Sequence, residues 1–223
     1  MNNGFGKTVK GNRVVTLIET LLLIVFTVGQ MIGTATASVI VFDQPPPGDF
    51  NGNQAISSTL NNFGATPGFR TADDFTVAQA ETITDVHWWG QQSIFVPPFR
   101  DNFTFTFYAD HAGTPGSVLL TTSGSLTTSP VFAGGTLNYY SANLSDAFSA
   151  AASTAYWLSI FDSAADASWL WLAANAFGDG AVQGGRFFPT LGDRAFQLTA
   201  VPEPATLALF ALGLAGLGFS RRK

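Results

Sequence analysis

Cysteine is absent from the 223 residues. That excludes disulfides, thiolate metal sites and cysteine nucleophiles, and leaves any fold to stand on its core. It does not argue against export. Charge is scarce as well: charged residues make up 11% of the chain, against about 25% in an ordinary soluble domain. With few Lys and Arg and a formal net charge of -5, the chain has no electrostatic footprint for nucleic acid. Histidine is down to two residues, His87 and His111. A Ser-His-Asp triad would have to use one of them. His87 sits in a strand-like run beside Trp88 and His111 in a turn, no G-x-S-x-G elbow flanks a serine, and no H-E-x-x-H or paired-His spacing supports zinc. Between residues 38 and 200 the only glutamate is Glu81, whereas glycosidase chemistry needs two facing carboxylates. Asp73, Asp74, Asp110, Asp162 and Asp179 read as turn caps. Long helical periodicity and internal repeats are missing too. These absences point away from an enzyme, a metal site or a resident cofactor.

What is present falls into three parts. Residues 1–37 read as a secretory signal: Lys7, Lys10 and Arg13 form a positive start, Leu17 to Ile32 a mainly apolar stretch, and Ala35-Thr36-Ala37 an A-x-A site. Cleavage is expected before Ser38, by signal peptidase after passage through the Sec translocon. A permanent N-terminal membrane helix is the alternative. Thr16-Leu17-Ile18-Glu19 is similar to the start of a type IV prepilin helix. In that family a Gly stands immediately before the first mature residue, where this chain has Val14, with its nearest Gly at Gly11.

At the other end, Val201-Pro202-Glu203-Pro204 is followed by an apolar stretch, Ala205 to Ser220, and by Arg221-Arg222-Lys223. The prolines cannot continue a helix interior and so set a helix start. The stretch fits a membrane helix at residues 205–220, short against the usual requirement of about 20 residues. The basic end would remain in the cytoplasm, placing the preceding domain outside. This tail resembles the PEP-CTERM sorting signal of exported proteins from Gram-negative bacteria that make exopolysaccharide. Pro202, Glu203 and Pro204 match its triplet, and Arg221, Arg222 and Lys223 match its basic terminus. The resemblance implies exosortase, a membrane cysteine protease, as the processing partner, cleavage near the triplet, and a route from an inner-membrane intermediate to the cell surface or matrix.

The middle, residues 38–200, is rich in Thr, Ser, Gly, Ala, Asn and Phe, a mix that favours strands and loops. Asn102 to Phe107 alternates strictly, which sets Phe103, Phe105 and Phe107 on one inward face. Val39–Phe42, Ile83–Trp89, Ser117–Leu120, Tyr156–Phe161, Trp169–Leu172 and Ala195–Thr199 are further strands. Pro45-Pro46-Pro47-Gly48, Pro115-Gly116 and Gly178-Asp179-Gly180 mark turns, and Ala147 to Ala155 could form a helical turn. Many strands without interleaved helices predict an all-β, antiparallel, jelly-roll-like β-sandwich between a signal helix and a membrane helix. Asp73-Asp74-Phe75, Trp88-Trp89-Gly90, Phe107-Tyr108-Ala109-Asp110 and Tyr156 to Ile160 resemble segments of passenger domains associated with PEP-CTERM tails.

Two further features concern ligands. Asp49-Phe50-Asn51-Gly52-Asn53 places oxygen ligands at alternate positions, as at the start of an EF-hand loop. Gln54 replaces the required Gly and no Glu closes it, so a flexible loop is the simpler reading. Neighbouring strand residues point to opposite faces, so Trp88 and Trp89 cannot both enter the core. Trp89 and Trp157 are therefore candidate outward platforms for sugar rings. The functional expectation is a structural or adhesive protein of the surface or exopolysaccharide matrix, with a secreted polysaccharide hydrolase as the alternative. A close pair of buried carboxylates in a cleft would favour the hydrolase; a cleft lined by aromatics without such a pair would favour the binder.

Overall fold

The computed structural model describes residues 38–50, 54–58, 69–92, 101–132, 136–164, 168–175, 178, 182–183, 186–187 and 192–201. The expected terminal helices, the cleavage site residues Ala35 and Ala37, the sorting residues 202–204 and 221–223, and Asp179 lie outside them. Among the described residues thirteen strands form: β1 (Val39–Gln44), β2 (Gln54–Ile56), β3 (Thr71–Thr76), β4 (Glu81–Gln92), β5 (Phe103–Asp110), β6 (Pro115–Thr122), β7 (Gly124–Pro130), β8 (Leu137–Ala150), β9 (Ala155–Asp162), β10 (Trp169–Leu172), β11 (Val182–Gln183), β12 (Arg186–Phe187) and β13 (Phe196–Ala200). No helix occurs among the described residues.

The strands make two antiparallel sheets, as the alternating pattern predicts. β4 is the spine of the seven-stranded sheet. One of its edges pairs with β8, which in turn pairs with β7. Its other edge is shared, β13 lying along the first half and β10 along the second. β1 extends the sheet from β13 and β2 extends it from β10. The six-stranded sheet runs β12-β11-β3-β9-β5-β6.

The core lies between the sheets and is built largely from aromatic rings. Phe103, Phe105 and Phe107 are buried, as their alternation requires. They meet Trp88, Tyr140 and Phe148 from the facing sheet, with Trp88 stacked on Tyr140 at 5.3 Å and Phe107 on Phe148 at 4.3 Å. Each such burial contributes roughly 1.5–3 kcal/mol. Against Thr199 and Ala200 of β13, β4 carries Thr84 as an extra, bulged residue, so that Ile83 and Val86 both reach the core although they are three apart. Gly90 faces the same core, and any Cβ there would overlap the indole of Trp169.

Two local expectations are corrected. Ala147 to Ala150 continues β8 as strand, and only Ala152 and Ser153 turn. Phe148 and Ala150 are buried while Ala147 and Ser149 are exposed, so burial follows the strand period despite the small residues. Pro115-Gly116 begins β6, and the chain reverses just before it, at His111 to Thr114. There Ala112 and Gly113 take positive φ, and the Asp110 carboxylate accepts a hydrogen bond from the Gly113 N–H at 3.1 Å.

Candidate functional site

β4 delivers Asp85, His87, Trp89 and Gln91 to the outer face of the seven-stranded sheet, because successive side chains alternate after the bulge. β8 sets Tyr139 opposite Trp89, Ser141 opposite His87 and Asn143 opposite Asp85. β13 sets Gln197 and Thr199 beside the same row. Trp89 is half-buried, its ring 5.2 Å from that of Tyr139. His87 stacks on the same tyrosine at 5.9 Å, and its Nδ1 lies 2.7 Å from the Tyr139 hydroxyl.

Burial favours the neutral form of both rings. Burial lowers the His87 pKa, with the nearby Asp85 working against it. Burial raises the Tyr139 pKa. A neutral imidazole accepting the tyrosine proton at Nδ1 keeps Nε2–H as a donor. Amides and hydroxyls border the rings. Gln91 Nε2 donates to Gln54 Oε1 at 3.0 Å, and the Thr136 hydroxyl donates to Gln91 Oε1 at 3.1 Å. Asp43 and Asp85 on this face are engaged by Gln197 Nε2 at 2.8 Å and the Thr199 hydroxyl at 3.1 Å. Among the described residues the strands of this face present no Lys or Arg to solvent. The result is a surface of aromatic rings, amides and hydroxyls with two hydrogen-bonded carboxylates, Asp43 and Asp85.

Trp157 also points away from the core, from the six-stranded sheet, but it is 1% exposed. It packs with Ala72, Val182 and Tyr108, and its Nε1 donates to Asp110 Oδ1 at 2.8 Å. It therefore offers no platform. Trp88, Trp169 and Trp171 are buried in the core, which leaves Trp89 as the one indole of five that is open to solvent. Tyr139 escaped the sequence reading, though its signal was there. Tyr139-Tyr140 repeats the logic of Trp88-Trp89, with one ring of the pair directed inward and the other outward.

A second location gathers carboxylates. A cleft of about 310 Å3 lies at the open edges of β1 and β3, lined by Phe42, Gln44, Asp74, Phe75, Thr76, Gly178 and Asp193. Behind it Asp73 is fully buried, and its Oδ2 accepts from the Arg194 N–H at 2.5 Å and from Gln44 Nε2 at 2.8 Å. Burial holds the Asp73 carboxyl well above the usual range; the Arg194 backbone bond opposes this, while Asp193 and Asp74 add to it. Burial pushes Arg194 down to about 10, against the pull of Asp73 and Asp193. Asp73 and Asp74 thus stand within β3 and cap no turn. Asp162 does act as a cap, accepting from the N–H groups of Asn102 and Ala164. His87 lies on the seven-stranded sheet, whereas His111 lies in the turn between β5 and β6. Asp49 lies among the described residues and Asn51 to Asn53 do not. Among the described residues no group of three or more His, Asp or Glu is arranged to hold a metal.

β13 is paired on both sides, by β1 and by β4, and ends at Ala200. The architecture is that of a β-rich passenger, consistent with a sandwich, joined to a terminal segment. That segment, residues 200–223, matches the PEP-CTERM protein-sorting motif. The chain carries this motif, which implies an exported protein handled by exosortase and sorted at the membrane toward the cell surface. No curated protein matches the chain. Among the described residues no helix is long and apolar enough to cross a membrane, and residues 205–220 fall outside them.

Proposed function

We propose that the passenger domain is a non-enzymatic, glycan-binding module of the cell surface or exopolysaccharide matrix, reached by Sec export, signal peptidase cleavage before Ser38 and exosortase cleavage near Pro202-Glu203-Pro204. The observation that carries the binding role is the half-exposed Trp89 beside Tyr139 and His87 on an open sheet face. An indole face suits the apolar face of a sugar ring, and amide, hydroxyl and imidazole donors at its rim suit the ring's hydroxyls. With Asp43 and Asp85 on this face and no Lys or Arg among the described residues of its strands, the matching ligand is a neutral polysaccharide. On gels containing the host's own exopolysaccharide, the wild-type chain should be retarded, Trp89→Ala should run as in an empty gel, and unretarded wild type would reject the role. Alanine at Pro202, Glu203 and Pro204 should leave membrane insertion intact and block processing; a triplet variant trimmed like wild type would remove exosortase from the account.

Polysaccharide hydrolysis is the second reading, because Asp74 and Asp193 line one cleft. Its test is product release from the same polysaccharide. Activity lost in Asp74→Asn and Asp193→Asn would establish it, and no release by wild type would end it.

A further inference from the structure

Edge strands expose unpaired backbone groups and are usually protected by charge, proline, bulges or brevity. Among the described strands, two of the longer edges and both short ones follow that rule, and one longer edge does not. β1 carries Asp43 and is irregular between Ile40 and Phe42. β6 opens with Pro115 and shifts register twice against β5. β2 and β12 have three and two residues. β7 has seven residues, reads Gly-Ser-Leu-Thr-Thr-Ser-Pro, carries no charge and pairs with β8 through seven successive partners without a shift. Its residues from Ser125 to Pro130 are all exposed, including Leu126, which stands on the core side of the sheet opposite the buried Ala142.

The hydrogen bonds flanking β7 fix which of its backbone groups are open. Ser145 N–H donates to Ser123 O, and Val131 N–H donates to Leu137 O. Both contacts involve odd-numbered residues of this segment. In a regular antiparallel ladder the bonding residues alternate, so Gly124, Leu126 and Thr128 direct their N–H and C=O away from β8. Pro130 occupies the next outward position and ends the usable edge.

We propose that the chain pairs with a second copy of itself through β7, antiparallel, with Leu126 opposite Leu126 across a two-fold axis. In that register Gly124 meets Thr128 of the other copy and Ser125 meets Thr127. The ladder gains about six backbone hydrogen bonds without using Pro130. Charge selects this edge for a like partner. Residues 38–200 hold thirteen acidic side chains against four arginines, so copies repel over most of their surface, whereas β7 meets itself with no charge at all. The two seven-stranded sheets become one, with their outer faces on the same side. Pairing through β7 is independent of glycan recognition, but it would set two Trp89 platforms on one surface and raise retention by avidity.

The chain has no cysteine, so one introduced thiol reports one contact. Full-length Leu126→Cys, oxidised in host envelopes, should yield a covalent dimer on a non-reducing gel. Val118→Cys, at a site 57% exposed against 37% for Leu126, should remain monomeric. Thr128→Pro removes an outward N–H that β8 does not use, and proline is tolerated at such edge positions. Added to Leu126→Cys, it should cut the covalent dimer about tenfold while the near-ultraviolet circular dichroism stays native. Thr128→Lys, which places charge on the edge and leaves the backbone unchanged, should convert the detergent-solubilised chain from dimer to monomer in sedimentation. It should leave retardation in exopolysaccharide gels detectable, which separates this result from a failure of glycan binding. Leu126→Cys crosslinking no faster than Val118→Cys, or dimers persisting in folded Thr128→Lys, would overturn the pairing.

Discussion

Trp89 and Trp157 both point away from the core, one from each sheet, and their surroundings give them opposite uses. Trp157 is covered by Ala72, Val182 and Tyr108, and its Nε1–H is held by Asp110 at the end of β5. Trp89 has Tyr139 and His87 beside it in the sheet and stays partly exposed to solvent. Strand alternation decides which way a side chain points. Exposure is decided by what the neighbouring edge and turn bring over it. One outward tryptophan thus becomes a satellite core and the other a surface.

Replacing each residue in turn sharpens the contrast. Trp157→Ala should cost about 3–5 kcal/mol, the range for a fully buried large aromatic, and should lower the unfolding midpoint in urea without a specific effect on glycan retention in whatever remains folded. Asp110→Ala should cost about 1–2 kcal/mol by leaving the Trp157 N–H without its acceptor; an unchanged midpoint would mean that packing alone holds the indole. Trp89→Ala should cost less than about 1 kcal/mol and abolish retention. A loss of stability equal to that of Trp157→Ala would place Trp89 in the structural class and break the comparison.

The buried Asp73 adds a pH dependence. Its folded pKa is raised, so between the unfolded value near 3.8 and the folded value the native state binds more protons than the unfolded state. Its contribution is present in full below the unfolded pKa and is lost as pH rises through the folded one. Asp73→Asn should flatten that part of the stability curve measured by urea unfolding from pH 4 to pH 8. An identical slope in the variant would show that the carboxyl titrates normally.

The seven strands expected from alternation and β-branched or aromatic runs all formed, because those residues suit a half-buried pleated surface whatever their partners. β8 was not legible, although it is the longest strand. Its run of Asn, Ser and Ala lacks β-branched residues, and it is held by pairing with β4 toward both ends and with β7 from Asn138 to Leu144. β3 was hidden by Asp73 and Asp74, which read as turn formers until Arg194 and Gln44, distant in sequence, supplied hydrogen bonds for a buried carboxyl. At the candidate site, the outward direction of Trp89 was legible from its pairing with Trp88. The burial of Trp157 was not, since Val182 and Asp110 meet it only in the folded chain. The sorting tail was legible throughout, because its signal lies in one contiguous segment.

The central claim is that Trp89 alone among five tryptophans meets the ligand, and fluorescence quenching of the full chain tests it most directly. Acrylamide should quench a single accessible indole, the neutral exopolysaccharide of the host should protect that fraction, and Trp89→Ala should lack both the accessible fraction and the protection. An accessible fraction that no glycan protects, or equal protection in folded Trp89→Ala, would contradict the account.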